Sequence, residues 1–195
     1  MEIVLLRHGQ TPGNAEKRYI GATDEVMSSD GARGAIKSGI FPGVPLIYAS
    51  PMLRCVQTAR IKFPNARIVL CNGLREMNFG LFEGRSAAEL EDDLRYRAWV
   101  DGDCFGQCPG GEGRIEFSAR VCVAFAEIVG ETISRRHRYT VILAHGGTIM
   151  AIMERFARPH RSYFDWAAPH CGGFRAALDE YSWGHAPILT EYEEV

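Results

Sequence analysis

No stretch of this chain approaches the ~18 consecutive apolar residues that a membrane-spanning helix needs, so no membrane partner is expected. The N-terminus lacks a basic stretch ahead of a long apolar one, because Arg7 and His8 interrupt the run that ends at Leu6. That is not the pattern of a secretory signal. Together these absences predict a cytoplasmic protein with reduced thiols. Cysteine occurs at positions 55, 71, 104, 108, 122 and 171, but no C-x-x-C pair is formed, and the close pair Cys104 and Cys108 has no histidine beside it. Zinc is therefore not expected, and the thiols read as buried structural groups. No H-x-x-x-H spacing offers a hydrolytic metal centre either, so the expected metal is none. Charge of one sign is lacking too: 22 basic against 24 acidic residues leave a net charge of −2, which argues against a nucleic-acid partner. Repeats and low-complexity tracts are missing as well.

What is present reads as an ordinary soluble domain. With 195 residues, 46% hydrophobic and 24% charged, one domain spanning 1–195 is expected, with a helical and loop insertion at about 85–113 capping its site. Ile3 to Leu6 reads as a buried strand, and a glycine-punctuated loop follows from Pro12 to Met27. Ser28 reads as the N-cap of a short helix to about Ser38. Leu46–Ala49 and Arg67–Leu70 read as strands. Between them, Ser50 and Pro51 read as N-cap and first residue of a helix to about Lys62. Residues 85–100 and about 113–136 read as helices, separated by a glycine-rich loop. Thr140–Ala144 is the strongest later strand, followed by a helix over about 148–156. Gly173–Leu178 and Pro187–Tyr192 read as edge strands. The alternation predicts an α/β fold: a three-layer α/β/α sandwich around a mostly parallel sheet.

Ligand sites in such sheets lie outside the carboxyl ends of the strands, and three strand ends here carry suitable groups. The first offers Arg7 and His8, then Gly9. The second leads to Arg54. The third ends at His145, with Gly146 and Gly147 behind it. A guanidinium fork suits phosphate oxygens, an imidazole can attack phosphorus, and helix N-termini attract anions.

Four ordered blocks carry a resemblance to a known family. Arg7-His8-Gly9-Gln10-Thr11 with Asn14 and Tyr19–Asp24, Ser50–Ala59, Leu74–Gly84, and Ala144–Gly147 resemble the histidine phosphatase superfamily, with its phosphoglycerate-mutase-like fold. The resemblance implies that His8 is the nucleophile that becomes phosphohistidine. It implies that Arg7, Asn14, Arg54, His145 and Gly146 hold the phosphoryl group, and that Glu76 protonates the leaving alcohol. Packing near Phe79 and Phe82 is expected to raise the Glu76 pKa by desolvation. Gln10 stands where many members have glutamate, at a position that does not react. Glu83 reads as a helix-start or solvent residue. His137, His160 and His185 read as surface groups, while His170 is the one to watch for a substrate contact.

The implied activity is metal-independent, cofactor-free hydrolysis of a small phosphorylated metabolite by a monomer or homodimer. The loop 101–113 has no arginine or lysine, which favours hydrolysis over mutase-type phosphoryl transfer to a substrate bearing a second anion. Tyr96–Asp101 and Pro109–Glu112 also resemble α-ribazole phosphatases, which makes α-ribazole 5'-phosphate a candidate substrate. In that reading Tyr96, Trp99 and Phe105 either stack on the leaving group or pack internally. A non-catalytic phospholigand-binding protein is the alternative of another class; it would be expected to lose His8 or Glu76.

Overall fold

A computed structural model describes all residues, Met1–Val195. Six strands form one sheet: β1 (Glu2–Arg7), β2 (Leu46–Ala49), β3 (Arg67–Leu70), β4 (Tyr139–Ala144), β5 (Gly173–Leu178) and β6 (Leu189–Glu194). Their order is β3-β2-β4-β1-β5-β6. The first four are parallel, and β5 and β6 are added antiparallel. Side-chain alternation divides the strands between two cores. Leu6, Ile47, Ala49, Val141 and Leu143 face α3 (Leu53–Lys62), with α2 (Ser29–Lys37) packed beside that helix. Ile3, Leu5, Tyr48, Ile142 and Ala144 face the larger core under α5 (Arg114–Ser134) and α6 (Gly146–Phe156). This is the three-layer arrangement expected. No helix is long and apolar enough to cross a membrane.

The 21-residue α5 presents Phe117, Val121, Phe125, Ile128 and Val129 to that core at helical spacing. Phe125 is fully buried, with its ring 5.1 Å from Phe156 and 5.7 Å from Trp183. Its truncation to alanine should cost about 3–5 kcal/mol through lost transfer energy and the cavity left behind.

Several element boundaries differ from the sequence expectations, each for a local reason. The loop after β1 contains a short helix, α1 (Pro12–Ala15), closed by a Thr11–Asn14 capping box. Helix α3 begins at Leu53 rather than Pro51. The Ser50 hydroxyl is occupied by His145, and the Leu53 N–H is capped from outside by Asp24 at 2.7 Å. Residues 85–93 are not an α-helix. Ser86 bridges to Arg18, and Glu89 accepts from the Ser86 N–H at 2.8 Å. The helix α4 (Leu94–Asp101) starts only after Asp93 caps it. Helix α6 starts two residues early, at Gly146, because Glu76 accepts the Gly147 N–H at its first turn. Strand β5 lies between β1 and β6, so of the two expected edge strands only β6 is one. Proline cannot donate to a ladder, and β6 begins at Leu189, past Pro187.

Candidate active site

The register of β1 against β4 pairs Arg7 with Ala144, so the next residues, His8 and His145, meet at the same sheet edge. Their rings lie 5.1 Å apart, edge to face. His8 is 3% exposed, and its Nδ1 donates to the Gly9 carbonyl at 2.8 Å. That bond leaves Nε2 with the lone pair. Burial first, then Arg54 and Arg7 with a contribution from His170, holds the His8 pKa well below that of a free imidazole. The ring is neutral at neutral pH.

Arg54, in the first turn of α3, is fully buried yet has no carboxylate partner. Its Nη1 donates to Thr23 O at 2.8 Å and its Nη2 to Gly21 O at 2.9 Å, while Nε points to His145 Nδ1 at 3.3 Å. Arg7 is likewise unpaired: Nη1 donates to Ala168 O at 2.7 Å, and Nε is buried without any partner. Burial lowers the Arg7 pKa from its usual value, and Glu76 opposes that shift. Two guanidinium groups without counter-charges around one imidazole leave an electrostatic deficit that an anion would fill.

Glu76 follows a single turn of 3₁₀ helix, Asn72–Leu74. Arg120 of α5 pins this segment by donating to Gly73 O and Arg75 O at 3.1 Å, while pairing with Glu112 at 2.8 Å. The Glu76 carboxylate accepts from Met77 N–H at 3.0 Å and Gly147 N–H at 2.9 Å. Burial raises its pKa, and those two backbone donors, Arg54 and Arg7 only partly offset this. A side chain at 147 would overlap Glu76 Oε1, so any larger residue there must push the Glu76 carboxyl aside. The aromatics expected to desolvate Glu76 are placed differently. Phe82 lies wholly inside the core against Tyr96 and Trp99, whereas Phe79 lines the same cavity as Glu76.

That cavity, about 300 Å³, also holds Arg7, Asn14, Gly146 and Gly147. Asn14 uses its Oδ1 to cap Thr11 N–H at 3.2 Å, which leaves its Nδ2 as a donor. Tyr19, Phe79 and Trp99 form one wall, with Tyr19 5.1 Å from Phe79 and 5.8 Å from Trp99. The three aromatics Tyr96, Trp99 and Phe105 part company. Tyr96 is buried and bonded to Tyr19 Oη at 2.9 Å, Trp99 faces the cavity, and Phe105 lies exposed over the Arg114 guanidinium at 3.5 Å.

Three residues had roles that the sequence pattern did not disclose. Ser50, read as a helix cap, is fully buried and bonded to His145 Nε2 at 2.8 Å. Arg114 stands one residue beyond the loop noted for lacking basic residues. It reaches the same cavity, 7% exposed and without a carboxylate partner, and donates to Asp103 O at 3.1 Å. Glu83 is neither a helix start nor a solvent residue: it accepts five hydrogen bonds from residues 21–23 and 79. His170 Nδ1 donates to His8 O at 3.1 Å, and burial, then Arg7, lowers its pKa to about 4. It opens onto a separate cavity of about 490 Å³ beside Lys62 and Phe63, not onto the one holding Glu76. His137, His160 and His185 are exposed.

The chain is 35% identical over 134 residues to the Enterobacter sp. (strain 638) protein named "Probable phosphoglycerate mutase GpmB". That match covers 65% of this chain and 62% of the relative, so it spans less than two thirds of the relative's length. The fold is similar to that of the α-ribazole phosphatase from Shigella flexneri, with TM-score 0.78 and 22% identity over 92% of each chain. It is also similar to TTHB049 from Thermus thermophilus, with TM-score 0.67 and 27% identity over 92% of this chain and 94% of that one. Residues 3–186 match the family model for branch 1 of the histidine phosphatase superfamily. That span takes in every block from Arg7 to Gly147, and the chain belongs to the histidine phosphatase superfamily.

Proposed function

We propose that the protein is a metal-independent phosphomonoesterase working through a phosphohistidine on a small phosphorylated metabolite. The observation that carries this is the state of His8: neutral, with Nδ1 committed to Gly9 O, Nε2 unbonded, and two uncompensated guanidinium groups around it. Nε2 attacks phosphorus as the bond to the alcohol oxygen breaks. Arg7 and Arg54, with Asn14 Nδ2 and the Gly146 N–H at the α6 N-terminus, take the charge on the phosphoryl oxygens. His145, expected from the sequence to hold phosphoryl oxygens itself, has both ring nitrogens engaged, by the Arg54 Nε–H and by the Ser50 hydroxyl, and in this reading supports Arg54. The raised Glu76 carboxyl gives its proton to the leaving oxygen. As a carboxylate it then removes a proton from water, which attacks phosphorus and breaks the N–P bond, releasing inorganic phosphate and restoring His8.

The wall of Tyr19, Phe79 and Trp99 suits a flat apolar leaving group, and α-ribazole 5'-phosphate is the candidate of that shape. A second reading, mutase-type phosphoryl transfer, gains from Arg114, which supplies the cavity with the further cation that a doubly anionic substrate needs. Purified protein with α-ribazole 5'-phosphate, 3-phosphoglycerate and simple alkyl phosphates separates the readings. Hydrolysis predicts stoichiometric inorganic phosphate. Transfer predicts an isomerised ester with little phosphate released, and inertness toward all of them would leave binding without catalysis.

A further inference from the structure

Arg54 is gripped by a loop rather than by a counter-ion. Its guanidinium donates to Ile20 O at 3.4 Å, Gly21 O at 2.9 Å and Thr23 O at 2.8 Å. Residues 21–23 belong to no helix or strand, so no ladder holds those carbonyls in place. Their N–H groups must be satisfied elsewhere if the carbonyls are to keep facing Arg54. One side chain does this. Glu83 Oε2 accepts from Gly21 N–H at 3.1 Å, Thr23 N–H at 3.2 Å and the Thr23 hydroxyl at 2.6 Å. Glu83 Oε1 accepts from Ala22 N–H at 2.8 Å and from Phe79 N–H at 3.0 Å.

We infer that Glu83 is a positioning residue for Arg54, acting through this loop without touching the reacting atoms. The loop lies between a carboxylate that collects its N–H groups and a guanidinium that collects its carbonyls. Charge-assisted bonds of this kind are the strong ones. Two further features fit the same frame. A Cβ at Gly21 would run into the Met77 carbonyl oxygen, so the loop approaches too closely for any larger residue. Asp24, the next residue, caps Leu53 N–H at the start of α3, the helix that carries Arg54. Thus both ends of the arginine's support, its helix and its guanidinium contacts, run through residues 20–24. The Phe79 bond ties one aromatic of the substrate wall to the same carboxylate.

The inference rests on Arg54 serving the phosphoryl group, and that premise is tested separately by Arg54→Ala with p-nitrophenyl phosphate. A silent Arg54→Ala overturns the premise, whatever Glu83 does. With Arg54→Ala slowed but still measurable, Glu83→Gln should lower kcat/KM about 10²-fold, the size expected when a catalytic group is misplaced by roughly 1 Å. Inorganic phosphate should inhibit the variant correspondingly less well. The decisive reading is the double variant. Glu83→Gln combined with Arg54→Ala should be no slower than Arg54→Ala alone, because both remove one unit. Losses that multiply would show Glu83 acting independently of Arg54 and overturn the proposal. If Glu83→Gln does not fold, Thr23→Val deletes one of the five donors and gives the same answer: a smaller loss that vanishes in the Arg54→Ala background supports the role, and an unchanged or multiplicative rate rejects it.

Discussion

The Arg54 Nε–H donates to His145 Nδ1 at 3.3 Å, and an arginine nitrogen can only donate. The proton of the neutral His145 ring therefore sits on Nε2, where it is given to the Ser50 hydroxyl at 2.8 Å. Both nitrogens of His145 are committed. Burial first, then Arg54, His8 and Arg7, keeps its pKa well below the ordinary value. Of the two imidazoles meeting at the ends of β1 and β4, only His8 retains a free lone pair.

That asymmetry predicts which histidine carries phosphate. His8→Ala should abolish turnover, and quenching wild type during turnover in alkaline denaturant should trap a phosphate that maps to His8, survives base and is lost in acid. A label on His145, Cys55 or any serine would overturn the assignment.

Glu76 should matter in proportion to how poor the leaving group is. Glu76→Gln keeps the shape and the acceptor for Gly147 N–H but offers no carboxyl proton. The rate on an alkyl phosphate should fall about 10²–10⁴-fold, and far less on p-nitrophenyl phosphate. Equal losses on both substrates would mean that Glu76 orders the site rather than donating a proton.

Gly147→Ala tests the same carboxyl from the other side. The added methyl would overlap Glu76 Oε1 and come within 3.2 Å of Tyr163 Oη. The expected phenotype copies Glu76→Gln, with the larger loss on the alkyl phosphate. A loss independent of leaving group would point to α6 as a whole instead.

Acid should destabilise the fold before it protonates the site. His8, His145 and His170 all have folded-state pKa values below the usual imidazole value, His170 at about 4. The unfolded chain takes up their protons below about pH 6.5 while the folded chain does not, so stability present above that pH is lost as pH falls toward 4. Glu76, with a raised pKa, acts in the opposite sense but counts for one proton against three. Thermal melts should therefore show Tm falling from about pH 6.5 downward. His170→Asn should flatten that slope, and a Tm independent of pH over this range would contradict the neutral-imidazole picture.

On the proposed mechanism, in which guanidinium groups carry the phosphoryl charge, hydrolysis should continue in excess chelator. Loss of activity on chelation with rescue by a divalent cation would sink the mechanism.

The strand cores of β1 and β4 and the groups at their ends were legible because both properties are local. An apolar run fixes a buried strand, and the residue after it must emerge at the sheet edge, as His8 and His145 do. The helix expected at 85–93 failed for the opposite reason: Arg18, far away in sequence, took Glu89 and bridged to Ser86. Ser50 has the composition of an N-cap and serves a histidine 95 residues away. Glu83 serves a loop about 60 residues before it. Arg114 enters the cavity because α5 begins beside Asp103 and Phe105. Hydrophobic period is written along the chain and fixed the layers of this protein. Which buried polar group finds which partner is decided only when distant loops meet, since each must be satisfied by whatever the fold brings within hydrogen-bond reach.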